Sequence, residues 1–394
     1  MTIAKKKACI VVASEVTLRA FLCAQIKAMQ DDFDVTVALN TKRLDLLREL
    51  GLDGRVVPVG IERDISLVKD LAALVKLVQL FRRERFDVVH SVTPKAGLLA
   101  MTGGLIARVP TRVHTFTGQM WATRSGASRA LFKNLDRVLA ACATHVLVDS
   151  PSQRDFLLRE HVVGPAKSAV LGKGSVSGVD AERFRPNADA RRRIREQLGI
   201  PKRDVVLLFL GRLNRDKGLL DLAQAFARVA ADHANVRLVV VGQDEHELTP
   251  AIRRACAMYA SRLHLVDFTL EPEAFVAASD ILCLPSYREG FGNCVIEAAA
   301  AGLPAVASRI YGVVDAVEEG VTGLLHPPRD VDALTDVLVR MIGDASLRER
   351  LAKAALERAR REFSQAVLTR QLLDTYARML GEEAPRRADY ARPA

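Results

Sequence analysis

Two groups of residues near the middle of the chain have the types and spacing of an anion-binding site. In the first, FLGRLNRDKGLLDL (209–222), Arg212 and Lys217 flank a turn after an apolar run, and Gly218 precedes a helical pattern. An Arg holds phosphate oxygens through paired N–H groups, a Lys adds a point charge, and a helix start favours an anion. The spacing predicts a diphosphate cradle, although two solvent-facing cations on a loop would share it.

The second group lies in PSYREGFGNCVIEAAAAGLPAVAS (285–308), after the apolar run DILCLPS. Gly290 and Gly292 let the backbone approach a ligand closely, and a helix is expected to begin directly after them. Glu289 precedes this turn and Glu297 lies one turn into the helix, where carboxylates suit sugar or ribose hydroxyls. A simple surface position for Glu297 would not explain why these four residues occur together after a buried strand.

Short apolar runs of strand length alternate with amphipathic helical stretches through both halves of the chain and must position these groups. This alternation predicts an α/β fold with two Rossmann-like, doubly wound domains facing a cleft. Ligands of such sheets bind outside the carboxyl ends of the strands. The predicted strands are 8–14, 34–40, 55–60, 87–92, 111–118, 145–150, 169–174, 204–211, 237–242, 263–268, 280–286, 304–308 and 323–328.

The polar, turn-rich segment SGVDAERFRPN (177–187) marks the expected boundary between the domains. The first domain is predicted to span residues 1–180 and the second 181–381, with a frayed tail at 382–394. The last helix, 364–381, belongs to the second predicted domain in sequence but could pack back on the first domain.

Charge and composition limit the classes of protein. The chain carries a net charge of +10, and residues 1–180 hold 26 Lys and Arg against 17 Asp and Glu. This basic half predicts an anionic partner, namely nucleic acid, a phospholipid surface or a phosphorylated substrate, unless it is only a solvated surface. The sequence contains no apolar run long enough to span a membrane. Six cysteines without a C-x-x-C motif indicate reduced thiols and a cytoplasmic location.

Several motifs together resemble the retaining family-4 glycosyltransferases of GT-B fold. These motifs are Glu289-x7-Glu297, GRLNRDKG, SGVDAERFRP and, most diagnostic, EGFGNCVIEAAAAGLP. The first half resembles a bacterial subgroup that builds capsule, O-antigen or lipid-linked glycans, through HSVTPKAGLLA (90–100), HTFTGQMW (114–121) and GKGSVSGVD (172–180). The resemblance implies that the first domain binds the acceptor and the second binds the nucleotide sugar.

The resemblance also implies roles for individual residues. Arg212 and Lys217 would hold the nucleotide diphosphate, Glu289 would contact the donor sugar, and His114 would lie at the carboxyl end of its strand, near the reacting carbon. The expected catalytic set is therefore His114, Glu289, Arg212 and Lys217. The expected donor-binding set is Arg212, Lys217, Glu289, Gly290, Phe291, Gly292, Asn293 and, on the ribose, Glu297.

Two departures from the family pattern are present. Many members carry a Gly-rich loop after the first strand, whereas this chain has SEVTLRAF (14–21). A Gly is common at the position of Asp267, where the backbone would contact the base.

No metal ion or other cofactor is expected. Glycosyltransferases of the other major fold use a D-x-D carboxylate pair, and Asp330-Val-Asp332 has this spacing. That segment follows two prolines and opens an apolar helical run, so it is predicted to cap a helix instead. Arg212, Lys217 and a helix start could neutralise the departing diphosphate without a metal.

Candidates for acceptor and membrane contacts lie in the first half. Thr93 and Lys95 begin a helix where Lys95 could bind an acceptor phosphate. Nearby His90 could orient an acceptor, but packing against the following turn is the favoured interpretation. Trp121 heads a predicted helix, 121–139, which is either an ordinary surface helix or a membrane-interface helix. In the second case its contacts are Trp121, Arg124, Arg129, Phe132 and Lys133. The helical stretch 65–85, with Arg82, Arg83 and Arg85, is the next candidate.

These observations predict an enzyme that moves a sugar from a nucleotide donor, UDP-linked by family tendency, to a lipid-linked or polysaccharide acceptor. A lipid-diphosphate acceptor would place it on the cytoplasmic face of the inner membrane as a peripheral protein. Nucleic acid is not an expected partner, because no nucleic-acid-binding motif is found. The alternatives are a sugar-nucleotide epimerase of similar fold and a non-catalytic basic peripheral membrane protein, which would leave the acidic EGFG segment unexplained.

Overall fold

The computed structural model describes residues 5–62 and 66–382, which form two compact units. Unit 1 combines the chain up to Ser177 with the segment from Gln365 onward, and unit 2 is the continuous segment Gly178–Ser364. The division between Ser177 and Gly178 lies close to the boundary predicted at residue 180. Residues 383–394 of the predicted tail, and Ile65 of the helical stretch 65–85, lie outside the described residues.

Every strand predicted from the sequence overlaps a strand of the structure. Most of these strands are buried on both sides, which explains why they are nearly continuous apolar runs rather than alternating ones. They are β1 (Lys6–Val11), β2 (Phe33–Leu39), β3 (Arg55–Pro58), β4 (Val88–Val92), β5 (Thr111–Phe116), β6 (His145–Val148), β7 (Ser168–Val170), β8 (Val205–Leu210), β9 (Val236–Val241), β10 (Leu263–Val266), β11 (Ile281–Leu284), β12 (Ala305–Ser308) and β13 (Gly323–His326).

Each unit contains one parallel sheet. The order is β3-β2-β1-β4-β5-β6-β7 in unit 1 and β10-β9-β8-β11-β12-β13 in unit 2. In both sheets the chain first runs outward on one side and then starts again beside its first strand. The switch points, where such sheets bind ligands, therefore lie between β1 and β4 and between β8 and β11. The predicted fold class, two Rossmann-like units, is confirmed.

Helices cover both faces of each sheet. They are α1 (Glu15–Phe21), α2 (Cys23–Met29), α3 (Leu46–Glu49), α4 (Leu67–Glu84), α5 (Pro94–Ile106), α6 (Gly126–Cys142), α7 (Pro151–Arg159), α8 (Ala188–Gln197), α9 (Leu219–Asp232), α10 (Thr249–Ala255), α11 (Pro272–Ala278), α12 (Asn293–Ala300), α13 (Val313–Ala316), α14 (Val331–Gly343), α15 (Ala345–Phe363) and α16 (Gln365–Met379). Short 3₁₀ turns occupy Arg215–Lys217 and Ala257–Arg262.

The structure supplies one helix start that the sequence left open and moves another. The segment 14–21, which replaces the Gly-rich loop of many family members, folds as α1, because the Ser14 hydroxyl accepts a hydrogen bond from the Thr17 amide and caps the helix. The helix predicted to begin at Trp121 instead begins at Gly126 and leaves Trp121 in the preceding turn.

Helix α16 belongs to unit 1 although it is the last described helix of the chain. Its Leu368, Leu372 and Tyr376 are fully buried in a core shared with α2 and the first strands. The Tyr376 ring packs edge-on against Phe33, and its hydroxyl hydrogen-bonds to His90 on β4. This helix therefore completes one face of the unit 1 sheet.

Candidate active site

The loops after β8 and β11 leave neighbouring strands at the switch point of unit 2 and meet there. Lys217 ends the 3₁₀ turn after β8, and its Nζ lies 2.5 Å from Oε1 of Glu289 in the loop after β11. The same Glu289 oxygen accepts a hydrogen bond from the Ser286 hydroxyl at 2.8 Å. Both charged side chains are mostly buried, so this pair is weakly screened by solvent. The structure thus brings together a predicted phosphate ligand and the predicted sugar ligand.

Backbone contacts lock these two loops onto each other. A Cβ at Gly218 would lie 1.9 Å from the Pro285 carbonyl oxygen, and Gly218 has a φ of +64°, so only glycine fits here. The Tyr287 amide donates to the carbonyl oxygen of Asp216 at 2.8 Å, and the Asp216 carboxylate accepts from the Arg288 guanidinium at 2.9 Å. The position of Lys217 relative to Glu289 is therefore set by a rigid double loop.

Arg212 lies at the same edge but is paired with a different loop. Its Nη1 donates to both carboxylate oxygens of Glu245, at 2.9 and 3.1 Å, in the segment after β9. More than half of the Arg212 side chain is exposed, in contrast to Lys217. Because the Arg212 side of this pair is exposed, solvent partly screens the pair and a ligand can compete with Glu245 for the guanidinium group.

Helix α12 begins at the predicted glycine turn. Gly292, with a φ of +90°, is its N-cap residue, and no side chain caps the helix. Asn293 is the first helical residue and is half-buried, whereas the Phe291 ring is fully buried against Phe363. A ligand at this turn would therefore meet the backbone of Gly290, Phe291 and Gly292 rather than the Phe291 ring.

Glu297 lies one turn further along α12, among a second set of charges. The side chain keeps partial solvent contact, but burial raises the pKa of Glu297 to about 7. The positive charge of Arg183 lowers this pKa, and the negative charge of Glu273 raises it further. Arg183 donates to Glu273 at 2.9 Å and to the Leu270 carbonyl oxygen at 2.9 Å, which fixes the loop after β10 near Glu297. Cys294 lies within electrostatic range of Glu289, Lys217 and Glu297, so the two sets of charges are close together.

The predicted acceptor residues lie at the other switch point, beside β4 in unit 1. Thr93 occupies the N-cap position of α5 with a φ of +80°, outside the range that a threonine normally adopts. The Lys95 ammonium lies 2.6 Å from Oδ1 of Asp70 in the first turn of α4. Their roles as acceptor ligands stay predictions.

The predicted placement of His114 at an open strand end is wrong. His114 lies inside β5 and is fully buried, with its Nδ1 2.9 Å from the Ser91 hydroxyl and its ring against Gly97 of α5. Burial lowers the pKa of His114 to about 3, so the ring is neutral at physiological pH. A glycine at position 97 leaves room for the ring under the helix. Residues from Thr117 onward occupy the open end of this strand.

His90 was expected to pack rather than to bind a ligand, and the structure agrees. Its Nε2 lies 2.7 Å from the Thr115 hydroxyl and its Nδ1 contacts the Tyr376 hydroxyl, all within unit 1. Burial lowers the pKa of His90 to about 4.

The prediction that Trp121 anchors a membrane-interface helix is also wrong. Trp121 is 1% exposed, its Nε1 donates to the Asp136 carboxylate at 2.7 Å, and its ring stacks on Phe156 at 5.1 Å. A tryptophan with an apolar body and a satisfied N–H is stable inside a protein. The partner Asp136 is itself buried, which raises its pKa to about 6.

The cations predicted for the same membrane surface are mostly used within unit 1. Arg129 and Lys133 both pair with Glu160, and both lie over the Trp121 ring, 5.3 and 5.8 Å from its centre. Only Arg124 remains exposed, stacked 4.6 Å from the centre of the half-buried Phe132 ring. Amphipathic spacing could not distinguish this internal cluster from a membrane surface.

The D-x-D segment has the role predicted for it. The Asp330 side chain accepts a hydrogen bond from the Ala333 amide at 2.9 Å and caps α14, and Asp332 forms an exposed pair with Arg228. Among residues 5–62 and 66–382, no group of three or more His, Cys, Asp or Glu side chains is arranged to hold a metal ion.

Sequence reasoning missed three residues that hold the site together, namely Ser286, Glu245 and Arg183. Ser286 and Glu245 lie within four residues of the ends of β11 and β9, and this nearness to a strand end is the signal that could have identified them. Arg183 lies in the boundary segment, where nothing in the sequence indicated a contact with the loop after β10.

Two family models match this chain and together cover both units. The model described as "Glycosyl transferases group 1" matches residues 190–358, and "Glycosyl transferase 4-like domain" matches residues 18–174. A D-inositol 3-phosphate glycosyltransferase from Corynebacterium glutamicum is 32% identical over 78% of this chain and 76% of the relative. The chain belongs to the group 1 glycosyltransferases.

Other relatives of this glycosyltransferase are named for capsular polysaccharide biosynthesis or for transfer to a lipid-linked sugar. The capsular polysaccharide biosynthesis glycosyltransferase CapM of Staphylococcus aureus is 29% identical over 83% of this chain and 85% of the relative. An Escherichia coli UDP-Gal:α-D-GlcNAc-diphosphoundecaprenol α-1,3-galactosyltransferase is 29% identical over 72% of this chain and 74% of the relative. The crystal structure of Anabaena HepE with UDP shares the GT-B fold, with a TM-score of 0.78 and 21% identity over 94% of this chain and all of that chain.

Proposed function

We propose that this glycosyltransferase moves a sugar from a UDP-linked donor to a lipid-diphosphate-linked acceptor, with retention of configuration and without a metal ion. The Lys217–Glu289 pair at the switch point of unit 2 carries this proposal. A diphosphate entering there would compete with Glu289 for the Lys217 ammonium group. The Glu289 carboxylate, still oriented by Ser286, would then accept hydrogen bonds from the sugar hydroxyls.

The same residues suit the charge that develops in the reaction. As the bond between the sugar and the diphosphate breaks, negative charge builds on the leaving oxygen. Lys217, Arg212 and the backbone N–H groups at the start of α12 form a set of donors that is fixed before the reaction begins. With this set present, a metal ion is not needed to stabilise the departing diphosphate. Glu297 would bind the ribose in its ionised form.

The donor and acceptor classes are supported by the relatives. HepE was solved with UDP, and the E. coli relative transfers galactose to a diphosphoundecaprenol-linked sugar. CapM acts in the synthesis of a capsular polysaccharide. A UDP-linked sugar donor and a lipid-linked acceptor of a surface glycan are consistent with these three relatives. A growing polysaccharide is the second candidate acceptor.

Thr93 and Lys95 are the proposed acceptor ligands, because they lie at the switch point of unit 1. A lipid-linked acceptor keeps its diphosphate at a bilayer surface, so we place the enzyme on the cytoplasmic face of the inner membrane as a peripheral protein. Within the described ranges, no helix combines the length and apolar content needed to cross a bilayer.

The first test measures UDP release from UDP-sugars with and without a diphosphate-linked lipid acceptor, in EDTA and in Mg²⁺. We expect acceptor-dependent release that survives EDTA. Conversion of the UDP-sugar into its epimer without net UDP release would favour the epimerase alternative, and the absence of both UDP release and epimer would favour a non-catalytic protein. NMR of the product should show the anomeric configuration of the donor, and an inverted product would reject the retaining mechanism.

The second test separates sugar contact from nucleotide contact. Glu289→Gln removes the charge that orients the donor sugar but leaves Arg212 and the start of α12 intact. We expect turnover to be lost while UDP still binds, with Glu349→Gln on the exposed face of α15 as the matched control. An equal loss of UDP affinity would move Glu289 from the sugar to the nucleotide.

A further inference from the structure

Helix α4 of unit 1 presents apolar side chains to solvent over its first half. Leu67, Val68, Leu71 and Val75 are 83%, 80%, 62% and 47% exposed, and we call these four residues the α4 stripe. Three of them are spaced by four residues, so they lie in one row on the helix surface. The opposite face packs into the unit 1 core through Ala73, Leu77, Leu80 and Phe81.

Single exposed aliphatic residues are normal, whereas a contiguous row of them marks an interaction surface. The two large aliphatic residues exposed on α6 are Leu131 and Val138. They are two turns apart and do not form a contiguous row. Of these two helices, α4 therefore has the stronger exposed apolar surface.

The α4 stripe begins at the ligand-binding edge of the sheet. In a parallel sheet, the helices that follow β3 and β4 both start at the carboxyl ends of the strands. The ion pair between Asp70 of α4 and Lys95 of α5 joins these two helix starts directly. The stripe is therefore adjacent to Thr93 and Lys95, the proposed acceptor ligands.

The surroundings of the stripe are basic. Lys76, Arg82 and Arg83 continue the outward face of α4 toward its end, whereas Lys69 on its flank is paired with Glu62. The acidic residues of the helix are neutralised, Asp70 by Lys95 and Glu84 by Arg55 and Arg83. Residues 1–180 as a whole carry 26 basic against 17 acidic side chains. The basic faces of two copies of the chain would repel each other. An anionic lipid surface, in contrast, complements both the positive charge and the apolar row.

We propose that the α4 stripe docks unit 1 on an anionic lipid bilayer, with Leu67, Val68, Leu71 and Val75 entering the interface. Lys76 and Arg82 then contact the lipid head groups. This proposal rests on the proposed function, because a lipid-linked acceptor gives the docking its purpose. Docking at this edge would deliver the acceptor diphosphate to Thr93 and Lys95 while the lipid chain stays in the membrane.

The test is co-sedimentation with phosphatidylcholine vesicles that contain phosphatidylglycerol, compared with pure phosphatidylcholine. We expect binding to the anionic vesicles that weakens as salt rises. The triple variant Leu67→Ser, Leu71→Ser, Val75→Ser should lower the partition coefficient at least about a hundredfold, since each side chain loses most of its transfer free energy. The control Leu131→Ser, Val138→Ser on α6 should bind like the wild type. Equal loss in both variants, or no loss in the triple variant, would overturn the proposal.

A fluorescence measurement covers the case in which the triple variant is poorly folded. Trp121 is the only tryptophan and is buried, so Leu71→Trp adds the one residue whose emission can respond to lipid. Its emission should shift to the blue with anionic vesicles, whereas that of Leu131→Trp should not. A Leu71→Trp shift that depends on protein concentration without lipid would show instead that the stripe binds a second copy of the chain.

The same variants separate docking from the proposed function. If the triple variant still releases UDP with a water-soluble acceptor analogue but not with a vesicle-bound acceptor, docking and function both stand. Normal activity of the triple variant on the vesicle-bound acceptor would reject docking and leave the proposed function intact. If the wild type docks but releases no UDP with either acceptor, only the proposed function fails.

Discussion

The two units share a parallel doubly wound sheet but differ in where their polar residues lie. In unit 2, Lys217, Glu289 and Arg212 stay at the edge of the sheet and pair across loops. In unit 1, His114 and Trp121 lie inside the fold, where each is hydrogen-bonded and neutral. The difference follows from desolvation: a full charge is costly to bury, whereas an imidazole or indole is buried cheaply once its N–H has a partner.

This comparison explains which predictions could be made from the sequence. Charged residues just after a buried strand must lie at the carboxyl edge, so their position after a strand predicted that Arg212, Lys217 and Glu289 lie there. Neither His114 nor Trp121 carries a fixed charge, and their partners, Ser91 and Asp136, are more than a dozen residues away in sequence. Their positions depend on tertiary packing that a local pattern does not contain.

The fold itself could be predicted almost completely, because apolar runs buried on both sides have few alternatives to strands of a parallel sheet. The helices were less certain at their starts. The Ser14 cap of α1 is a local signal that could have been recognised, whereas the buried Trp121 before α6 is a tertiary effect.

The largest effect is expected from a substitution that disrupts the cluster around Trp121 in unit 1. Trp121→Ala should destabilise the protein by about 3–5 kcal/mol, because it leaves a large cavity beside Phe156 and removes the Nε1–H donor to the Asp136 carboxylate. Urea unfolding measures the change, with Leu131→Ala on the exposed face of α6 as control. A loss below about 1 kcal/mol would mean that the indole is not in the core.

The next effect tests the charged edge of unit 2. Lys217→Ala should lower turnover about 100- to 1000-fold, the usual cost of losing one fixed stabiliser of a developing negative charge. Arg212→Ala should cost less, because Arg212 is exposed and paired with Glu245 rather than with the predicted sugar ligand. Arg215→Ala, a cation in the same 3₁₀ turn, is the control. Near-normal rates for both Lys217→Ala and Arg212→Ala would remove the diphosphate from this edge.

A smaller effect appears with pH. The pKa of Glu297 is raised to about 7, so if the ionised form binds the ribose, donor affinity should rise about tenfold per pH unit below that value and level off above it. Isothermal titration of UDP between acidic and alkaline pH measures the profile. Glu297→Gln should flatten it. Glu273→Gln should move its midpoint to lower pH, because a neighbouring negative charge is removed and Arg183 is released from its ion pair.

The same shift affects stability with a defined sign. The raised pKa makes the folded state the better proton binder between about pH 4.5 and 7, so the contribution of Glu297 to stability falls as pH rises through this window. If Glu273→Gln leaves the midpoint of the UDP-binding pH profile unchanged, the titrating group is not Glu297.

The smallest effect distinguishes the two carboxylates of the D-x-D segment. Asp330→Ala should cost about 1 kcal/mol, because the α14 cap is lost, whereas Asp332→Ala should cost less than about 0.5 kcal/mol, because its pair with Arg228 is exposed. Thermal unfolding and activity in EDTA measure both consequences. If either variant abolishes activity without affecting stability, the segment binds a metal ion after all.

The return of α16 to unit 1 has a consequence for the order in which the protein is made. Unit 2 is one uninterrupted segment and can leave the ribosome whole, whereas unit 1 waits for its last helix until everything between has been synthesised. During that interval the core positions of α2 and β2 that later contact Tyr376 and Leu372 face water. The nascent first unit is therefore the stage at which a chaperone is most needed, and a chain released before residue 365 would keep that apolar face uncovered.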